Sequence, residues 1–122
     1  MNHRRTGSHW ERRAETFLRR QGLKTLERNF YCRSGEIDLV MQDRDSLVFV
    51  EVRYRKRDSH GSGAESIGPV KQSRLIRAAR YYLARNLRFA AKPCRFDVIS
   101  VGESQGQPCF RWIRHAFEVA RG

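Results

Sequence analysis

A chain of 122 residues, 39% hydrophobic and 31% charged, is long enough to bury one core without disulfides or a structural metal. No apolar run approaches the roughly 18 residues of a membrane span, and the basic start MNHRRTGSHWERR leads into no apolar signal segment, so a cytoplasmic protein is expected. The 25 Lys and Arg against 13 Asp and Glu leave a net charge of +12, which points to a polyanionic partner.

All but four of these cations are arginine, the lysines being Lys24, Lys56, Lys71 and Lys92. The planar donor fork of arginine suits phosphate oxygens, so the expected partner is nucleic acid rather than a membrane surface. Cys32, Cys94 and Cys109 form no C-x-x-C, and the four histidines are scattered, which argues against a disulfide framework and a zinc knuckle.

Residues 8–22 predict a first helix. Ser8 and Glu11 have the spacing of a capping box, Trp10, Ala14, Phe17 and Leu18 share one face, and Gly22 supplies the stop. KTLERNFYC (24–32) reads as a strand, GEIDLVMQ (35–42) alternates in the period-two manner, and LVFVEVRY (47–54) is the next strand after a short polar turn. Residues 57–68 are a polar Gly/Ser-rich loop. Pro69 then opens a helix over 69–88, with Leu75, Ile76, Ala79, Tyr82, Leu83 and Leu87 as its apolar face and Lys71, Arg74, Arg77, Arg85 and Arg88 as a basic flank. CRFDVISV (94–101) and CFRWIRHAF (109–117) complete the order helix, three strands, helix, two strands. This is an α/β domain around a mixed central sheet, one domain over 1–122 with 1–7 and 118–122 as flexible tails.

One residue conflicts with its surroundings. Glu51 sits in VFVEV, a run that otherwise reads as core, and a carboxylate there must be paired or metal-bound. Period two places Glu36 and Asp38 on one face of their strand, Ile37 and Leu39 on the other, and Leu47, Phe49, Glu51 and Arg53 together on the next strand. A turn of two residues (Arg44-Asp45) or of four (Asp43 to Ser46) puts Asp38 opposite Glu51, whereas three residues would put them out of phase. Two facing carboxylates repel unless a cation lies between them, and oxygen ligands with room for water and phosphate suit Mg²⁺ or Mn²⁺. The bland alternatives are a buried ion pair of Glu51 with Arg53 or another arginine, and a solvated Glu36.

Asp38 followed thirteen residues later by Glu51-x-Arg53 resembles the D…E-x-K signature of the PD-(D/E)XK nuclease superfamily. More narrowly, WERRAETFL, GEIDLV, VFVEVRYR, PVKQSRLIRAARYYLA, CRFDVISV and WIRHAF, in that order from about Gly7 to Phe117, resemble the YraN-type family of bacterial predicted endonucleases, distant relatives of archaeal Holliday-junction resolvases. The resemblance implies a restriction-endonuclease-like fold and a Mg²⁺- or Mn²⁺-dependent endonuclease acting on DNA, branched or otherwise structured. It makes Asp38, Glu51 and Glu11 candidate metal ligands or water-orienting acids; Glu11 reads equally as a capping-box residue. Arg53 departs from the pattern: it can hold phosphate and stabilise developing charge but cannot act as a base.

Arg55, Lys56 and Arg57, with Lys71, Arg74 and Arg77 on the second long helix, are candidates for tracking a nucleic-acid backbone. The competing expectation is a non-catalytic basic nucleic-acid-binding module that retains the fold; a protein that assists RNA assemblies is a third class. A resolvase-like role further implies a two-fold homodimer.

Overall fold

The computed structural model describes residues 2–55 and 67–117, with side chains for 9–55 and 67–117. The elements are α1 (Asn2–Arg20), β1 (Lys24–Cys32), β2 (Gly35–Asp43), β3 (Ser46–Tyr54), α2 (Pro69–Arg85), β4 (Cys94–Ser104) and β5 (Gln107–Phe117). The five strands form one sheet in the order β1-β2-β3-β4-β5. Strands β3 and β4 pair in parallel and the other neighbours are antiparallel, because α2 carries the chain back between β3 and β4. This is the mixed α/β architecture expected from the sequence, consistent with a restriction-endonuclease-like fold. Among the described residues no helix is long and apolar enough to cross a membrane.

Central strand β3 explains the sandwich. Leu47 and Phe49 pack with Leu75, Ala78, Ala79 and Tyr82 of α2, while Val48 and Val50 pack with Ala14 and Leu18 of α1. A strand covered on both faces reads as a continuous apolar run, as LVFVEV does. Burying each large side chain contributes about 1.5–3 kcal/mol. Helix α1 ends where Gly22 takes φ +105°, which lets the Leu23 N–H return to the Leu18 carbonyl at 3.1 Å.

Three local readings of the sequence are corrected. Helix α1 continues N-terminally through Ser8 to Asn2, with no proline to interrupt it, so it does not begin at the expected cap; the Ser8 side chain lies outside the described residues. Helix α2 stops at Arg85, where Asn86 leaves helical geometry and its Nδ2 donates to the Tyr82 carbonyl at 2.9 Å. Leu87 therefore turns outward, 74% exposed, and Phe89 fills the core place instead. Finally, Ile37 and Leu39 do not share a face: Ile37 packs in the α2-side cluster and Leu39 in the α1-side cluster. The alternation breaks at Asp38, opposite the stretch of β1 where Asn29 adopts φ +53°.

Candidate active site at the opening between β2 and β3

The β2–β3 hairpin turns on Arg44-Asp45, with Asp43 opposite Ser46 and Arg44 at φ +58°. This is the two-residue turn, and its register runs back to Leu39 opposite Val50. One step further come Asp38 and Glu51, and there the ladder changes character. The Val52 N–H donates to Oδ2 of Asp38 at 2.8 Å, so a side chain takes the place of a backbone acceptor. On its other side the β1–β2 register passes from Arg28 opposite Leu39 to Phe30 opposite Ile37. Asp38 thus sits where the strands loosen, and its carboxylate is pinned between them.

Asp38 is 8% and Glu51 9% exposed. Burial pushes the Asp38 carboxyl well above the usual carboxylate range; the charge of Glu51 adds to this, the Val52 N–H opposes it, and Glu11 raises it further. Burial also raises Glu51, against the opposing pull of Lys71 and Arg53. Glu11, half-buried on α1, is raised by burial and by the charges of Glu36 and Glu51, while hydrogen bonds with Asp38 and Asn29 work the other way. Burial therefore moves all three acids, Asp38, Glu51 and Glu11, in the same upward direction.

What brings Glu11 here is aromatic packing. Trp10 stacks on Tyr54 at the end of β3, with ring centres 4.3 Å apart and planes 24° from parallel. This fixes the first half of α1 over the end of β3. One turn along α1, Glu15 accepts from Arg28 Nε at 2.8 Å and from Thr25 Oγ1 at 2.5 Å. Burial pushes Glu15 upward, yet these two partners hold it below its ordinary value. Two acids on one helix face thus have opposite roles, one joining α1 to β1 and one joining the acid cluster.

Asp97 gives the same contrast within the sheet. It is 1% exposed and accepts from Arg95 Nε at 3.0 and 3.2 Å, Trp112 Nε1 at 2.9 Å and the His115 N–H at 3.0 Å. It closes the bulge between Phe96 and Val98, where His115 has φ +54°. Its hydrogen-bonding capacity is filled by donors. Asp38, by contrast, accepts from the Val52 N–H and has the acids Glu51 and Glu11 as neighbours.

The basic residues divide. Lys71, in the first turn of α2, reaches into the site: its Nζ lies 3.2 Å from Oε2 of Glu51. Arg53 is half-buried on β3, two residues past Glu51, and contributes positive charge to it. The Arg55 N–H donates to the Val101 carbonyl at 2.9 Å, which extends the β3–β4 pairing by one residue. Arg74 and Arg77 are exposed along α2, and Arg74 packs over the β1–β2 turn at Gly35. Lys56 and Arg57 lie outside the described residues.

Among the described residues no three Asp, Glu, His or Cys side chains converge as a ready-made metal cage. A Mg²⁺-type ion needs less, since it is commonly held by one or two carboxylates and completed by water and substrate phosphate. Asp38 and Glu51, buried, adjacent and mutually repelling, fit that donor set. Glu11 then stands behind Asp38 as a hydrogen-bonding partner.

The sequence alone did not bring Asn29 or Tyr54 to the site, and it placed Lys71 only among the cations expected to track a nucleic-acid backbone, not against Glu51. Lys71 carried a signal all the same, as a lysine in the first turn of a helix with no acid there.

The pattern that defines the Uncharacterised protein family UPF0102 matches residues 10–101. A UPF0102 protein of Nitrosococcus oceani is 48% identical over 117 residues, covering 96% of this chain and 94% of its own. One from Pseudomonas aeruginosa is 49% identical over 93% of this chain and 92% of its own. One from Pseudomonas fluorescens is 45% identical over 96% of both. Fold, motif order and near-full-length similarity agree: the chain belongs to the UPF0102 family.

Proposed function

We propose that this protein is a metal-dependent endonuclease that hydrolyses phosphodiester bonds in DNA, branched or otherwise structured. The observation that carries the reading is the Asp38–Glu51 pair, two buried carboxylates with raised affinity for protons where the sheet opens, in a chain of net charge +12. Asp38 and Glu51 would hold Mg²⁺ or Mn²⁺, which supplies Lewis-acid polarisation of the phosphoryl oxygen and a more acidic water. The Val52 N–H fixes the direction of the Asp38 carboxylate. Glu11, hydrogen-bonded to Asp38, keeps that carboxylate from turning away. Arg53 can bind a non-bridging phosphate oxygen and keeps its proton throughout. Arg55, Arg74 and Arg77 add sequence-independent backbone contacts, so recognition follows DNA shape. A two-fold dimer in the cytoplasm, one site per strand of a junction, completes the reading.

Purified protein with Mg²⁺ or Mn²⁺ on linear, flapped and four-way DNA is the test. Cleavage of at least one substrate that is lost in Glu51→Gln supports the proposal; no cleavage of any, or equal cleavage by the variant, refutes it. Arginine at position 53 favours a second reading, a binding module that has kept the fold. That reading requires salt-sensitive DNA or RNA binding that survives Asp38→Asn and Glu51→Gln, with no metal uptake to lose.

A further inference from the structure

Where the D…E-x-K pattern has a lysine, this chain has Arg53, yet the site does not lack an ammonium. Lys71 is the third residue of α2 (Pro69–Arg85) and its Nζ sits 3.2 Å from Oε2 of Glu51. Its place is electrostatically odd. The first turn of a helix carries partial positive charge and favours acids. Here that turn has no acidic residue, and its N-cap Gly68 makes no side-chain capping bond. A lysine at that point is stabilised by an anion in front of it, and Glu51 is that anion. The Lys71 side chain is 46% exposed against 11% for Glu51, so the ammonium sits at the mouth of the site. Its inner side meets the carboxylate and its outer side meets solvent, from which a phosphate would arrive.

We propose that Lys71 is a catalytic residue of this site: delivered by α2 rather than by β3, it contacts the scissile phosphate in the role that the pattern gives to a lysine at position 53. The proposal rests on the nuclease reading and names a residue for it. In the hydrolysis, the water oxygen forms a bond to phosphorus and the bond from phosphorus to the ester oxygen breaks. One proton leaves the water for solvent, and the departing oxygen takes one from solvent. Lys71 keeps its own proton throughout and contributes positive charge, which offsets the negative charge growing on the non-bridging oxygens. Glu51 holds the ammonium in line, and the planar Arg53 remains free of any proton-transfer duty.

The bland alternative is an ion pair that ties α2 to β3. Such a tie would act on folding and on the placement of the carboxylates rather than on the chemical step alone, so the two roles separate experimentally. With DNA saturating and Mn²⁺ present, single-turnover cleavage by Lys71→Ala should fall about 100–1,000-fold, the usual loss for one transition-state donor. Lys71→Arg should recover part of this, and DNA affinity in EDTA should change only a few-fold. Calorimetry without DNA supplies a readout apart from activity: Lys71→Ala should bind Mn²⁺ as tightly as the unaltered protein or more tightly, since a competing cation has gone. Loss of Mn²⁺ binding in that variant would assign Lys71 to holding the carboxylates in place and overturn the proposal. So would cleavage within a few-fold of the unaltered protein. If the unaltered protein cuts no substrate, the nuclease reading falls and takes this proposal with it; if it cuts and Lys71→Ala cuts equally, only this proposal falls.

Discussion

Replacing Asp38 by asparagine keeps an acceptor for the Val52 N–H while removing one charge from a crowded acid site. In the metal-free protein, burial, Glu51 and Glu11 hold the Asp38 carboxyl well above its ordinary 3.8. The folded chain therefore retains a proton that the unfolded chain has already released. Below the ordinary value both states are protonated and the stabilisation is fully present. As pH rises towards the folded value it is lost, at about 1.36 kcal/mol per pH unit for each proton of difference. Lys71 and Arg53 offset the charge of Glu51 and so reduce the repulsion on Asp38 without abolishing its upward shift. The Asp38→Asn variant has no such proton at that position, so its stability should fall less steeply with pH. At about 2.1 cal/mol/K of unfolding entropy per residue, 1 kcal/mol is roughly 4 °C for a chain of this length, so the melting temperatures should diverge by roughly 5 °C per pH unit in the window. The assay is thermal melting followed by circular dichroism in EDTA, from about pH 4 to about pH 8. Parallel curves for the two proteins would refute the reasoning, since the acid cluster would then contribute nothing to the linkage.

Mn²⁺ at about 100 times its dissociation constant should stabilise the folded protein by about 2.7 kcal/mol, or roughly 10 °C, and this shift should vanish in Glu51→Gln; melting with and without EDTA checks it. Asp97→Ala should behave in the opposite way to Asp38→Asn, because it strips Arg95, Trp112 and the His115 N–H of their shared acceptor. A loss of about 3–5 kcal/mol in urea unfolding is expected, and an unchanged midpoint would show that the bulge does not need its carboxylate. Tyr54→Ala removes the stack on Trp10, worth about 0.5–1.5 kcal/mol beyond the buried area. Because that stack positions Glu11, single-turnover cleavage should fall by more than DNA affinity does.

Much of the site could be read from two physical regularities. Side chains alternate along a strand, and a two-residue turn fixes parity across a hairpin, so GEIDLV and VFVEV were enough to set the register as far as Leu39 opposite Val50, one step short of Asp38 and Glu51. Parity failed where its premise failed. Asn29 turns left-handed on β1 and Asp38 bonds through its side chain, so Ile37 and Leu39 part company. Lys71 was legible as a candidate for the nucleic-acid backbone but not as a partner of Glu51, because its place depends on where α2 lands after crossing from β3 to β4. Glu15 and its partners Thr25 and Arg28 were missed for a similar reason: the packing of α1 against β1 leaves no period in either segment. Leu87 fitted the helical wheel but not the helix, which ends two residues before it.

A metal-dependent site here requires that the carboxylates of Asp38 and Glu51 hold a divalent ion. Crystals soaked in Mn²⁺ and measured at a wavelength where manganese scatters anomalously test this directly. An anomalous peak within coordination distance of both carboxylates, about 2.0–2.2 Å, is the result predicted. Fully soaked crystals with no peak there, and Lys71 still in contact with Glu51, would contradict it.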